Sequence, residues 1–204
     1  MPLDLPQDIV TAIARAAEGR ERIVVAIAGP PGAGKSTVSE ALARALDGAA
    51  VLPMDGFHLD NDTLRDMGLL HRKGAPQTFD TKGLHALLQR IRQGGDVPVP
   101  TFDRAADAVV PDGAVIPAAA RIVLVEGNYL LLDAPGWRDL HPFWDLTVAI
   151  EVPRAELEKR LIQRWLDHGL SPEDARRRAE GNDLPNADTV RTGSITPDLV
   201  FRQD

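Results

Sequence analysis

Residues 29–36 read Gly29-Pro30-Pro31-Gly32-Ala33-Gly34-Lys35-Ser36, which satisfies Gly-x-x-x-x-Gly-Lys-Ser/Thr at every fixed position. The apolar run Ile23-Val24-Val25-Ala26-Ile27-Ala28 precedes it, and a helical pattern follows through about Leu46. A short run rich in β-branched residues suits a strand buried on both faces of a parallel sheet. Glycines let the backbone turn so that successive N–H groups face one anion, and the next helix offers its positive end to the same anion. In such a loop the lysine reaches the β- and γ-phosphates and the hydroxyl ligates Mg²⁺. ATP is therefore expected on Gly29, Pro30, Pro31, Gly32, Ala33, Gly34, Lys35, Ser36 and Thr37, with Mg²⁺ as cofactor.

Around this loop the chain alternates strands and helices. Ile9, Val10, Ile13, Ala14 and Ala17 recur at helical spacing, giving a helix over 7–18 that ends near Gly19. A second strand is expected over Ala49–Met54, closed by Asp55-Gly56, and residues 60–80 read as polar loop. A helix follows over Thr81–Arg92, stopped by Gly94-Gly95. In the proline-rich stretch 96–120, Val109–Ile116 reads as a hairpin turning at Pro111-Asp112-Gly113. Further strands are expected over Arg121–Val125, Thr147–Val152 and Asp198–Phe201. A helix is expected over Arg154–His168, and another is capped by Ser171-Pro172 and ends near Gly181. This order predicts an α/β fold with a parallel sheet flanked by helices. We expect one domain over 1–204, a helical lid at about 154–182, and acceptor-side insertions at about 56–80 and 96–120, the second carrying the small hairpin.

Composition narrows the function. The chain has 204 residues, with 23 Lys+Arg against 30 Asp+Glu. An acidic chain without a basic run is poorly suited to nucleic acid or to an anionic membrane. It has no cysteine, which excludes disulfides, thiolate metal sites and a cysteine nucleophile. No segment approaches a membrane span, and Met1-Pro2-Leu3-Asp4-Leu5-Pro6 is unlike a signal peptide, so a cytoplasmic location is expected. No Asn-Lys-x-Asp guanine reader and no Leu-Ser-Gly-Gly transporter signature is present. What remains is mainly kinases of small molecules, with a non-catalytic ATP-binding regulator as the rival class.

Ligands of an open parallel sheet bind beyond the carboxyl ends of its strands. The second strand ends at Asp55, the expected general base, though Asp-Gly is also a turn signal. The third ends at Glu126, expected to hold Mg²⁺ with Ser36 and Asp55. Lys35, Arg160 and Arg164 are expected to offset phosphate charge; the two arginines share a helix face, and Glu156 offers Arg160 an ordinary ion pair instead. Candidate acceptor contacts are His58, Arg72, Lys73, Asp80, Phe102, Asp103, Arg104, Asn128 and Tyr129. The run Arg176-Arg177-Arg178 reads as a solvated face.

Assembled, these residues resemble the P-loop kinases related to bacterial pantothenate kinase, uridine kinase and phosphoribulokinase, over most of the chain. Pro53-Met54-Asp55-Gly56-Phe57-His58 is similar to that group's motif after the second strand, which implies Asp55 as base. Arg72-Lys73-Gly74-Ala75-Pro76 through Phe79-Asp80 resembles the pantothenate kinase loop, and Val125-Glu126-Gly127 resembles a motif whose Glu helps hold the metal. Arg160 and Arg164 fall where the lid arginines of the group sit. Phe102-Asp103-Arg104 departs from the Tyr-Ser-His of pantothenate kinase. Glu126 to Leu131 and Asn182 to Ala187 look more like a bacterial subgroup labelled fructose-transport kinases or fructokinases. The resemblance implies a small-molecule acceptor: a sugar such as fructose first, then a nucleoside, then pantothenate. A second copy of the chain is admitted as a partner, in a homodimer. Aromatic residues are few (three Trp, one Tyr, five Phe), which also favours a sugar over a stacked base.

Overall fold

A computed structural model describes residues 5–203; residues 1–4, part of the amino-terminal segment discussed above, lie outside the described residues. Helix α1 (Gln7–Ala16) leads into β1 (Ile23–Ala28), the phosphate loop and α2 (Lys35–Ala45). Next come β2 (Ala49–Pro53), α3 (Asn61–Asp66), α4 (Thr81–Gln93), β3 (Val97–Asp103) and β4 (Ala108–Ile116). The chain continues through β5 (Ile122–Gly127), β6 (Leu146–Glu151), α5 (Arg154–Asp167), α6 (Pro172–Arg178), α7 (Leu184–Gly193) and β7 (Leu199–Arg202). Five strands form one parallel sheet in the order β2-β5-β1-β6-β7. The parallel α/β fold expected from the sequence is the fold observed.

The sheet separates two cores, because successive strand side chains point to opposite faces. Val24, Ala26, Val123 and Val125 pack with Leu84, Leu88 and Ile91 of α4 and with Val97 and Ile116 of the hairpin. Ile23, Val25, Ile27, Ile122 and Leu124 pack on the other face with Ile13, Leu42, Leu161 and Leu184 from four helices. Each fully buried aliphatic side chain contributes about 1.5–3 kcal/mol. Such burial holds β1 at the centre of the sheet, and with it the loop that follows. No helix among the described residues is long and apolar enough to cross a membrane.

Three expectations change. Val109–Ile116 is not a hairpin but lies within β4, which pairs antiparallel with β3. Val99 pairs with Ala114 and Thr101 with Val110, so Pro111-Asp112-Gly113 bulges opposite Pro100, with Asp112 at φ 51°. The true turn lies before it, where Asp103 Oδ1 accepts from the N–H groups of Ala105 and Ala106 and Asp107 adopts φ 50°. Turn-forming residues also suit bulges, and the prolines of β3 hid the partner strand. Residues 60–80 are not simple loop: Asp60 caps α3 by accepting from Thr63 N at 2.8 Å, and short 3-10 turns follow at Leu70–Arg72 and Pro76–Thr78. The helix expected to end near Gly181 continues through a π-turn, Ala179–Asp183, into α7, with Pro185 in the first turn, where its missing N–H costs nothing.

Candidate active site

Strand registers bring the chemistry to one edge. Ala28 pairs with Gly127 and Pro53 with Glu126, so β1, β2 and β5 end side by side. Gly34, at φ 77°, caps α2 in a left-handed conformation that glycine adopts without strain. Lys35 Nζ folds back to donate to Pro30 O at 3.1 Å. Burial pulls the Lys35 ammonium below its ordinary pKa, against the attraction of Glu126 and Asp55. Glu126 lies on the α2 face of β5, where Ser36 Oγ donates to Glu126 Oε1 at 2.8 Å. Burial also raises the Glu126 pKa, opposed by Lys35 and the Ser36 hydrogen bond.

Asp55 sits in a 3-10 turn, Met54–Phe57, directly after β2. A Cβ on Gly56 would lie 2.4 Å from Pro100 O, so this turn presses against β3. Asp55 Oδ2 accepts from Arg104 Nη2 at 2.7 Å, and His58 Nε2 stands 4.0 Å from Asp55 Oδ1. The His58 ring packs on Phe79 (centroids 4.2 Å apart) and Phe102 (4.8 Å). Its burial lowers the imidazole pKa to about 4, so the ring is neutral near pH 7.

A cavity of about 600 Å³ collects most of the expected residues: Pro31, Gly32, Gly34, Lys35, Ser36, Thr37, Asp55, His58, Lys73, Phe102, Arg104, Glu126, Asn128 and Arg164. Others point elsewhere. Gly29, Pro30 and Ala33 do not line it; Gly29 and Pro30 border a larger groove of about 790 Å³ along β6, β7 and α7, on the other side of the loop. Lys35, Ser36, Asp55 and Glu126 all open into the smaller cavity. Arg160 bonds to Glu156 Oε1 and Gln203 Oε1, each at 3.0 Å, outside the cavity. Asp80 caps α4 by accepting from Gly83 N, and Asp103 is spent on the β3–β4 turn. Tyr129 is fully buried, its hydroxyl donating to Gly74 O at 2.6 Å, and Arg72 reaches Gly181 O and Asn186 Oδ1.

The cavity also contains residues that sequence reasoning missed as contacts. Asn61, Asp107, Asn182, Asp183 and Asn186 line it. Arg178 does too, stacked over Trp165 at 5.1 Å, while Arg176 and Arg177 pair with surface carboxylates. The signal for Arg178 was helical phase: it lies three residues after the buried Ala175 and so on the same face. Trp165 Nε1 donates to Asp183 Oδ2 at 2.5 Å, and burial raises the Asp183 pKa.

A parallel sheet whose central strand feeds a Gly-Lys-Ser loop, with carboxylates from the ends of β5 and β2, successive strands on one side of it, lining the same cavity, is the arrangement of a P-loop kinase, an ATP-dependent phosphotransferase. Residues 24–174 match the model of the Phosphoribulokinase / Uridine kinase family, and the chain belongs to that family. The crystal structure of a "putative fructose transport system kinase" from Silicibacter sp. TM1040 is 46% identical, with a TM-score of 0.92, covering 95% of this chain and 97% of that one. Protein YggC of Escherichia coli, uncharacterized, is 37% identical over 187 residues, covering 89% of this chain and 78% of its own. A "putative uridine kinase" of Schizosaccharomyces pombe is 32% identical over 198 residues, covering 90% of this chain and 84% of its own.

Proposed function

We propose that the protein transfers the γ-phosphoryl group of ATP to a hydroxyl of a sugar such as fructose. The observation that carries this reading is the meeting of Lys35, the Ser36–Glu126 pair and Asp55 in one cavity. The donor set fits Mg²⁺: a hydroxyl and two carboxylates, all oxygen ligands, leaving room for waters. Ser36, Glu126 and Asp55 would hold the ion, and when bound it offsets charge on the β- and γ-phosphates. Lys35 Nζ supplies a fixed positive charge beside the phosphates. Asp55 accepts the proton of the acceptor hydroxyl at a carboxylate oxygen. Arg164, on the helices we assign as the lid, balances charge as the phosphoryl group moves. Arg160, held outside the cavity, is left out of this set.

The polar wall formed by Asn61, Lys73, Asp107 and Asn128 supports a sugar, as does the fructose named for the 46% identical relative. A nucleoside is the second reading, favoured by the rings of Phe102, His58 and Phe79 along the same cavity. The test is turnover of ATP with a panel of hexoses, pentoses, nucleosides and pantothenate. We expect a sugar to be phosphorylated fastest, and Asp55→Asn to abolish transfer while ATP affinity stays within a few fold. No transfer to any acceptor, together with a silent Asp55→Asn, points to the non-catalytic regulator instead.

A further inference from the structure

The tip of the β3–β4 hairpin bends over the cavity, and one of its side chains has a local role that leaves chemistry unspent. Asp107 holds a left-handed backbone at φ 50°, which asparagine and aspartate tolerate and glycine prefers. Its Oδ1 lies 2.8 Å from Lys73 Nζ, and its Oδ2 accepts from Asn61 Nδ2 at 3.0 Å. Lys73 Nζ also donates to Asn61 Oδ1 at 2.7 Å and to Asp107 O at 3.0 Å.

The Lys73 donors of this triad are therefore committed. An ammonium has three N–H groups, and Lys73 has three acceptors at hydrogen-bond distance, with its side chain only 11% exposed. The main polar capacity left is on Asp107: a carboxylate offers about four lone-pair sites, and its two fixed bonds leave one free on each oxygen. Burial alone would raise the Asp107 pKa, but the hydrogen bonds from Lys73 and Asn61 outweigh it and keep the group ionised near pH 7. The side chain is 55% exposed and lines the same cavity as Asp55 and His58.

We propose that Asp107 is a specificity-determining residue that reads two adjacent hydroxyls of an uncharged polyol, with Lys73 and Asn61 as positioning residues that aim it. The inference rests on the kinase reading above and deepens it. Two acceptor oxygens about 2.2 Å apart match the two O–H donors of a vicinal diol, as bidentate pairs match elsewhere. A phosphate or carboxylate at this end of the acceptor meets only acceptor lone pairs on Asp107, because the Lys73 N–H groups are already taken. The acceptor thus presents hydroxyls here, and any anionic group on it lies elsewhere. Lys73 was expected to touch substrate; on this geometry it acts through Asp107.

The test compares wild type with Asp107→Gly, which suits the left-handed turn and so should fold, and with Lys73→Met. Probes are D-fructose, D-ribose, uridine and pantothenate, followed by the monodeoxy analogues of whichever is turned over fastest. We expect Asp107→Gly to raise the acceptor KM at least about tenfold, with the KM for ATP within about twofold. Wild type should discriminate against an analogue lacking either hydroxyl of the diol by about tenfold, and the variant by less than about threefold. Lys73→Met should give the same KM-specific loss, Lys73→Arg should restore part of it, and Lys73→Met should add little to Asp107→Gly. An unchanged acceptor KM in folded Asp107→Gly, or a best acceptor without adjacent hydroxyls, overturns this inference and leaves the kinase reading standing. A wild-type protein that phosphorylates none of the probes overturns both.

Discussion

Arg104 Nη2 donates to Asp55 Oδ2 across 2.7 Å, so the carboxylate proposed above as the base is already held by a cation from the hairpin tip. The Arg104 side chain is 63% exposed and Asp55 31%, so solvent screens the pair, which contributes at most about 1 kcal/mol. A bond that weak yields readily to an incoming hydroxyl, yet it occupies Asp55 while no acceptor is present. Arg104→Gln is therefore expected to leave the Tm within about 4 °C. It should also raise acceptor-independent ATP hydrolysis relative to transfer. ADP release with and without acceptor measures the ratio; an unchanged ratio removes the guarding role.

Gly56→Ala tests how Asp55 is placed. The added methyl would meet Pro100 O at 2.4 Å and Pro100 C at 2.8 Å, both backbone atoms with no rotamer to change. Either the 3-10 turn or β3 must shift, at a cost of about 1–3 kcal/mol. Denaturant melts should show that loss. Because the shift falls on Asp55, kcat should drop by more than ATP affinity does.

The phosphate loop and its sheet were legible because both obey local rules. A β-branched run, glycines at fixed spacing and a helical pattern need no distant partner to be read, and the carboxyl-edge rule then placed Asp55 and Glu126 beside the loop. Side chains whose partners lie far along the chain were harder. Tyr129 looked like a pocket residue, but its hydroxyl bonds Gly74, fifty-five positions away. Asp107 carries no local sequence signal, and only the β3–β4 pairing brings it to Lys73. The hairpin was misread because Pro-Asp-Gly serves a bulge as well as a turn. Arg178 was hidden in a charged run that only helical phase resolves.

Acid should weaken the metal-free protein through His58. Burial lowers its folded pKa to about 4, from 6.5 in the unfolded chain. Between those values the unfolded state binds a proton that the native state does not, so stability falls as pH drops. The full contribution is present above pH 6.5 and is lost on the way down to about 4. Its size is on the order of 3 kcal/mol. Urea melts at pH 7 and pH 5, on wild type and His58→Gln, isolate this term. The difference between the two proteins should shrink at the lower pH, and an NMR titration of His58 should find no midpoint near 6.5.

Arg160 and Arg164 stand four residues apart on α5, yet their surroundings differ. Arg160 is clamped by Glu156 and by Gln203 from the far end of the chain, and both bonds must break before it can reach a phosphate. Arg164 lines the cavity, its guanidinium over the Trp165 ring at 5.6 Å, and its field is felt at Lys35. A pre-placed cation that meets charge developing in the transition state is worth about 10²–10³ in rate. Arg164→Ala is therefore expected to lower kcat by about that factor. Arg160→Ala should lower it by less than about tenfold, since losing a half-exposed ion pair moves nothing in the cavity. Steady-state kinetics on the two variants, with melting curves to show that both are folded, decide the matter. Equal losses would mean that α5 turns when ATP binds, carrying Arg160 off Gln203 and onto the nucleotide.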